Sequence, residues 1–113
     1  MVHAEAMSAG NPVISTALGG NTEFMDKNNS ILIPYSLTPV IGMPWIKEYE
    51  SDMYWAEPDL YDLKNAMRDI YENQKKAKAV GKSAEKTIQS EFSTKNLAEN
   101  MVNAIHKTLK KKK

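Results

Sequence analysis

Two carboxylates flank a glycine pair near the N-terminal end of the chain, and this is where the residue types could do chemistry. Glu5 precedes Gly19-Gly20 and Glu23 follows it. A carboxylate can accept two hydrogen bonds from the vicinal hydroxyls of a ribose, as acidic residues do in dinucleotide sites. Glycines after a strand let the backbone approach a ligand closely. The alternatives are a glutamate that complements a helix dipole and a glycine pair that only makes a turn.

The elements that would position these residues can be predicted from the local sequence. Residues 5–9 are mostly good helix formers, and Gly10 followed by Asn11-Pro12 predicts the end of that helix. Residues 12–17 are β-branched without clean alternation, which favours a parallel strand covered on both faces. Ligands of open α/β sheets usually lie at the carboxyl end of such a strand.

Other polar side chains lie near the same predicted edge. Ser15 and Thr16 carry hydroxyls within reach of a pocket, or else bonded to local backbone. We expect Glu23 to cap a short helix around residues 22–26 rather than to contact a ligand. His3 is the histidine nearest the edge and could line the site, but no second histidine, cysteine or paired carboxylate stands at metal-ligand spacing. We therefore assign no metal site, no general base and no catalytic residue.

The segment resembles the nucleotide-sugar-binding part of the retaining GT-B glycosyltransferases. Residues 5–14, Glu-Ala-Met-Ser-Ala-Gly-Asn-Pro-Val-Ile, match the second glutamate of that family's glutamate pair and the positions after it. Residues 19–23, Gly-Gly-Asn-Thr-Glu, match its glycine loop. Weaker similarity continues through residues 29–34 and 54–59 into the helices. The resemblance spans nearly the full chain and is specific between Glu5 and Glu23.

This resemblance implies a fold and a function. The fold is α/β: a partial Rossmann-like GT-B C-terminal domain with about two parallel strands, an aromatic loop and three C-terminal helices. The function is part of a donor site in an enzyme of polysaccharide biosynthesis. That enzyme transfers a sugar from a nucleotide diphosphate to an acceptor hydroxyl with retained configuration. Glu5 would bind the ribose and Gly19 and Gly20 the donor, and no cofactor beyond the donor nucleotide sugar is implied.

The resemblance also implies that parts of the site lie outside this chain. The family's first glutamate would precede Met1, and the acceptor is bound by a separate N-terminal domain. Half a donor pocket gives little rate enhancement, because catalysis depends on positioning and on charge stabilisation at the leaving phosphate. We therefore expect a fragment that is inactive alone. Its exposed sheet edges predict a homo-oligomer or an exposed apolar patch.

Composition limits the class of protein. The chain has 113 residues, 42% of them hydrophobic, a net charge of +1 and no cysteine. This predicts about one domain and argues against an electrostatic nucleic-acid binder. The absence of cysteine fits a cytoplasmic location. No apolar run approaches the roughly 20 residues of a transmembrane helix.

The chain divides into three parts by pattern. Residues 1–34 predict the α/β part, with a second strand at 30–33 parallel to the first. Residues 35–57 predict a long irregular loop ordered by its aromatic residues, which include Tyr35, Trp45, Tyr49, Tyr54 and Trp55, with Pro39, Gly42 and Pro44 among them. We expect its tryptophans to pack in the core, with stacking on a sugar or base as the alternative.

Residues 58–113 predict three helices. The first begins with Pro58 in its first position and ends near Asn73. The third has Ser93 as its N-cap. The predicted buried positions are Leu60, Leu63, Met67 and Ile70 in the first helix, Ala77, Val80, Ala84 and Ile88 in the second, and Leu97, Met101, Ile105 and Leu109 in the third. Lys110 to Lys113 are expected to be solvated, with contact to anionic lipid or phosphate as the alternative.

A rival function comes from a different class of protein. The amphipathic helices and the aromatic loop also fit a small helical module that binds a protein partner, with the glycine loop as mere architecture. Nucleotides would then leave the chain unaffected. The base, the sugar and the acceptor are not specified by these residues.

Overall fold

The protein is an α/β chain in which two small sheets are combined with four helices among the described residues. The computed structural model describes residues 1–41, 45–47 and 52–112. In chain order the elements are α1 (Val2–Ser8), β1 (Ile14–Thr16), a 3-10 helix (Gly20–Glu23), β2 (Ile31–Ile33), β3 (Tyr35–Pro39), β4 (Tyr54–Pro58), α2 (Leu60–Glu72), α3 (Gln74–Glu91) and α4 (Thr94–Lys111). The predicted α/β class and the three C-terminal helices are confirmed.

The first helix ends where the sequence predicts. Gly10 follows α1 with a φ of 77°, a left-handed conformation that glycine adopts without steric cost. The chain then returns as β1, which pairs in parallel with β2 in the register Ile14 with Ile31 and Thr16 with Ile33. The parallel pair is confirmed. The expected burial on both faces is wrong, because all of β1 is half-buried in a sheet of two strands.

The hydrophobic core is small and lies between α1, the parallel sheet and α3. Met7, Met25 and Ala84 are buried together, and Val13, Phe24, Leu32 and Ile88 pack around them. The predicted stripe on α3 is confirmed at Ala77 and Ala84, both buried. Gly81 lies between them, so close to the turn after α1 that a Cβ there would overlap the Gly10 carbonyl oxygen.

A buried amide fastens the connection between the two parallel strands. Asn29 Nδ2 donates to the Phe24 carbonyl at 2.9 Å and to Thr87 Oγ1 of α3 at 3.3 Å. Its Oδ1 accepts from the Asp26 backbone N–H at 2.8 Å. Asn29 therefore satisfies its polar atoms while it ties the start of β2 to the core helix.

The predicted aromatic loop at 35–57 is wrong at both of its ends. Tyr35–Pro39 and Tyr54–Pro58 are strands β3 and β4, paired antiparallel with Tyr35 opposite Pro58 and Pro39 opposite Tyr54. Prolines suggested irregular backbone, yet they are tolerated at the edges of a two-stranded ribbon. Trp45 is 73% exposed, so its predicted core packing is wrong, whereas Trp55 is half-buried. Gly42, Pro44 and Tyr49 lie outside the described residues.

The C-terminal helices confirm the predicted Ser93 cap but not all of the expected burial. Asp59 caps α2 by accepting from the Asp62 N–H at 3.0 Å, and Ser93 caps α4 by accepting from the Asn96 N–H at 3.2 Å. Pro58 ends β4 and does not begin α2. The predicted buried faces are wrong for these exposed residues: Leu60 and Met67 in α2, and Leu97, Met101, Ile105 and Leu109 in α4.

The molecule is flat and extended for its length. Its radius of gyration is 18.1 Å and its principal extents are 54 × 43 × 20 Å, whereas a compact chain of this length has a radius of gyration near 13 Å. Much of its apolar surface therefore stays outside the core. Within residues 1–41, 45–47 and 52–112, no helix is long and apolar enough to span a bilayer.

Candidate functional site

A polar cluster lies at the carboxyl end of β1. His3 Nε2 and Ser15 Oγ are 3.1 Å apart. Asn21 Nδ2 donates to Ser15 Oγ at 3.2 Å and to the Thr16 carbonyl oxygen at 2.9 Å. We name His3, Ser15 and Asn21 the Ser15 cluster. It joins three elements at the end of the sheet where ligands of parallel strands usually bind.

The turn after β1 brings Asn21 back over the strand. Gly19 has a φ of 107°, which lies outside the range of most side chains, and it begins the reversal. Thr22 then closes the turn, since its Oγ1 donates to the Gly19 carbonyl at 2.7 Å. Gly20 has no atom within 4 Å of the position that a Cβ would occupy. The space beside Gly20 is therefore open to a ligand.

Hydrogen bonds inside the Ser15 cluster decide which groups it can offer a ligand. Asn21 uses its amide nitrogen for two acceptors, so its Oδ1 remains as an acceptor. In the tautomer that carries its proton on Nδ1, His3 accepts the Ser15 hydroxyl proton at Nε2, and Nδ1–H is left as a donor. In that tautomer the cluster offers one donor and one acceptor, which suits recognition of a hydroxyl or phosphate.

The histidine and serine do not form a nucleophilic triad. Within the described part of the chain, no carboxylate pairs with His3, and so the orienting acid of such a triad is missing. The described residues also contain no group of three side chains that could hold a metal ion. The arrangement is therefore suited to binding, by hydrogen bonds, rather than to covalent chemistry.

The structure brings some predicted site residues together and separates others. Ser15 lies in the cluster, bonded across elements rather than to local backbone, and Thr16 takes part through its carbonyl oxygen. Glu5 is exposed on α1. Because side chains two residues apart on a helix point about 200° apart, Glu5 does not share the α1 face that holds His3.

Glu23 does not have its predicted capping role. The 3-10 helix runs over Gly20–Glu23, and Gly19 occupies its N-cap position. Glu23 is therefore the last residue of the helix rather than a cap at its start. The prediction starts this helix about two residues too late, because a glycine pair fits a turn as well as the beginning of a helix.

Sequence reasoning missed Asn21 and the partner of His3. His3 and Ser15 are separated by twelve positions, and nothing in their spacing indicates contact. A signal for Asn21 was present, since Asn after a glycine pair is typical of a turn whose amide bonds nearby backbone. In this turn the side-chain amide of Asn21 lies over the end of β1.

A perturbed carboxyl lies away from this site, at the junction of α2 and α3. The hydrogen bond from Lys76 at 2.5 Å, and then that from Asn73, hold the pKa of Asp69 below its ordinary value. This carboxyl is exposed and joins the two helices. Its environment stabilises the junction and indicates no catalytic acid.

An open depression of about 570 Å³ follows the outer face of α2. Its lining comes from one helix and includes Tyr61, Lys64, Arg68 and Tyr71. Arg68 pairs with Glu72 at 3.7 Å on the same helix. A depression bounded by a single helix does not enclose a small molecule, and so this surface is better suited to a macromolecular partner.

Comparison with known proteins shows a distant similarity to a curated protein. Over 106 residues the chain is 26% identical to spore coat protein SA of Bacillus subtilis (strain 168). The alignment covers 94% of this chain and 23% of that protein, so the chain spans about a quarter of its length. No protein-family model matches the chain. No solved structure matches it.

These findings contradict the resemblance to the retaining GT-B glycosyltransferases. No family model supports it, and the relative carries the name of a spore coat protein. The matched residues include Gly10, Pro12 and the glycine pair, which any helix, turn, strand and turn in succession would favour. Such a motif describes local geometry and does not by itself specify a family.

Proposed function

We propose that the carboxyl end of β1 and β2 forms part of a binding site for a nucleotide-diphosphate sugar. The observation that supports this best is the Ser15 cluster, which places side-chain polar groups beside an open glycine turn. We further propose that α1, β1 and β2 are part of a larger, Rossmann-like parallel sheet. In sheets of that kind the crevice outside the carboxyl ends of the strands is the usual place for ligands.

Each polar group has a role in the proposed site. Asn21 Oδ1 accepts a sugar hydroxyl, and the Nδ1–H of His3 donates to a phosphate oxygen. The backbone at Gly20 approaches the diphosphate, since no side chain occupies that space. Glu5, which is exposed on a different face of α1 from His3, is kept as the proposed partner of the two ribose hydroxyls and is tested separately below.

The proposed site is one half of a donor pocket. Transfer of the sugar to an acceptor hydroxyl, with retained configuration, would need an acceptor domain and groups that stabilise the leaving phosphate. These would belong to a longer protein. We therefore expect this chain alone to bind a nucleotide sugar weakly and not to turn it over.

The test is a titration of the chain with uridine and guanosine diphosphates and their sugar conjugates, followed by amide and side-chain NMR. Shifts centred on Ser15, Gly19 and Asn21 are expected. Ser15→Ala should weaken binding about fivefold, because it removes the hydroxyl that organises His3 and Asn21. Ser36→Ala, a change of the same kind on exposed β3, is the matched control.

Glu5→Gln tests the ribose assignment separately. It should weaken binding by about five- to tenfold through loss of charged hydrogen bonds, whereas Glu91→Gln at the exposed end of α3 should not. A titration that leaves Ser15 and Gly19 unshifted at millimolar nucleotide sugar would rule out the donor site. Loss of binding in Ser15→Ala with full binding in Glu5→Gln would keep the site and remove Glu5 from it.

A second candidate function is a module that binds a protein partner through α2. Tyr61 and Tyr71 are 74% and 79% exposed, and Arg68 lies between them on the same face. Tyrosine and arginine are enriched at the energetic centres of protein interfaces. A place in a spore coat, which the relative's name gives for that protein, would suit this surface better than the predicted cytoplasmic location. Homo-oligomerisation through the sheet edge stays a prediction.

A further inference from the structure

One helix leaves its entire apolar face outside the core. Leu97, Met101, Val102, Ile105 and Leu109 of α4 are each between 45% and 66% exposed. At 3.6 residues per turn they fall, with Ala98 and Ala104, on one arc of about 160° around the helix. Thr94 and Thr108 are the other residues of α4 on that arc, so no charge interrupts it within the helix; Lys112, the C-cap residue, follows at its C-terminal end. This is a broad apolar surface, wider than the narrow seam of a coiled coil.

The charges of the chain are divided unevenly between α4 and the rest. Residues 93–113 hold six lysines and one glutamate, a net charge of +5. The remaining 92 residues hold nine basic and thirteen acidic side chains, a net charge of −4. The near-neutral total therefore conceals one strongly basic segment, and that segment carries the exposed apolar face.

The lysines stand where an interfacial helix needs them. On the helical projection Lys95 borders one side of the apolar arc and Lys111 borders the other. Lys107 and Lys110 lie on the polar face near the C-terminal end. Lysines at the borders of an apolar face can extend their ammonium groups into the headgroups while their stems stay against hydrocarbon.

We propose that α4 binds an anionic lipid surface, lying in the headgroup region with its apolar face towards the acyl chains. Charge complementarity selects this occupant. A second copy of α4 would bring two segments of charge +5 together, which disfavours self-pairing. A nucleic acid would satisfy the lysines and leave the apolar arc in water. A bilayer of anionic lipid satisfies both at once.

The helix is already formed for this role. Ser93 caps its start, and the basic residues Lys110 and Lys111 complement the dipole at its end. A preformed helix loses little backbone entropy on binding, unlike a segment that must fold at the membrane. The surface also does not depend on the proposed nucleotide site, which involves α1 and β1.

The test uses vesicles of phosphatidylcholine with and without phosphatidylserine, and measures co-sedimentation of the full chain. We expect binding to the mixed vesicles, at least about tenfold weaker binding to phosphatidylcholine alone, and a decrease as salt rises. Lys110→Gln and Lys111→Gln should each weaken binding about fivefold. Lys75→Gln and Lys78→Gln, on exposed positions of α3, are matched controls and should change it little.

Apolar insertion is tested by a pair of variants with the same charge change. Ile105→Asp places a carboxylate in the centre of the apolar arc and should reduce binding at least about a hundredfold. Asn103→Asp adds the same charge on the polar face and should reduce it about fivefold. Circular dichroism of both variants checks that helix content is kept, as expected for exposed positions.

Three outcomes would overturn the proposal. The first is equal loss of binding in Ile105→Asp and Asn103→Asp, which would show that the apolar face does not insert. The second is tighter binding to a polyanion such as heparin than to vesicles, with no effect of Ile105→Asp. The third is a stable dimer in light scattering that Ile105→Asp dissociates, which would make a second copy the occupant.

Discussion

Helices α3 and α4 have the same length, but the apolar stripe of α3 is buried and that of α4 is exposed. Each has 18 residues and an apolar stripe along one face. The stripe of α3 is built on the small residues Ala77, Gly81 and Ala84 and is buried, whereas the larger side chains of α4 are exposed. The size of the apolar side chains therefore does not determine which helix packs in the core. The helix with small residues packs there, because its backbone can approach a neighbouring element closely.

The packing of α3 shows how small residues bring this about. Gly81 lets the helix backbone come against the turn at Gly10, and Ala84 is fully buried beside Met7. The approach brings Met7 of α1 into a core that Met25 completes. Helix α4 has no small residue at the centre of its stripe, since Met101 and Ile105 stand there. Its face is suited to a soft or flat partner rather than to a close backbone contact.

Substituting one methionine in each region tests this difference most strongly. Met7→Ala should lower the free energy of unfolding by about 3 kcal/mol, because it removes a fully buried side chain and leaves a cavity. Met101→Ala, at a position that is 66% exposed, should change it by less than about 0.5 kcal/mol. Urea denaturation followed by circular dichroism measures both. Equal losses would mean that α4 is packed in solution.

The close contact of α3 is tested by a glycine substitution. Gly81→Ala should lower the free energy of unfolding by about 2 kcal/mol, since the new Cβ would meet a backbone carbonyl that cannot rotate away. Alanine favours a helix interior over glycine by about 1 kcal/mol, so a loss would have to arise from the contact.

Gly20→Ala is the control for that substitution. Its Cβ would meet no atom within 4 Å, and so stability should be nearly unchanged. If Gly81→Ala were as stable as the wild type or more so, α1 and α3 would not approach as closely as their backbones indicate. Thermal unfolding of the three proteins side by side is sufficient to decide.

The sequence predicted the packed region better than the exposed one, for a physical reason. Helix stops, caps and strand runs are local, so Gly10, Ser93 and residues 30–33 were identified correctly. A periodic apolar face indicates that a helix packs against another surface. It does not indicate whether that surface belongs to the same chain. The stripe of α4 was therefore predicted as buried although it is exposed.

The location of the candidate site could be predicted from the sequence, but the contacts between its side chains could not. The strand and glycine turn located the edge, because the carboxyl end of a strand can be identified from local pattern. The contact between His3 and Ser15 depends on how α1 folds back on β1, which no local signal encodes. The hairpin of β3 and β4 was missed for the same reason, since strands paired across the residues between them leave weak local patterns.

The smallest effect on stability is expected at the junction of α2 and α3, where Asp69 and Lys76 form a hydrogen bond. Because the pKa of Asp69 is lowered in the folded chain, first by the Lys76 hydrogen bond, its carboxylate stabilises the fold above the ordinary Asp pKa of 3.8. That contribution is lost as the pH falls through the lowered value. Asp69→Asn should therefore melt slightly below the wild type at neutral pH and coincide with it in strong acid. Asp52→Asn, another exposed carboxyl, is the control, and a gap that persisted in acid would assign the effect to packing rather than to charge.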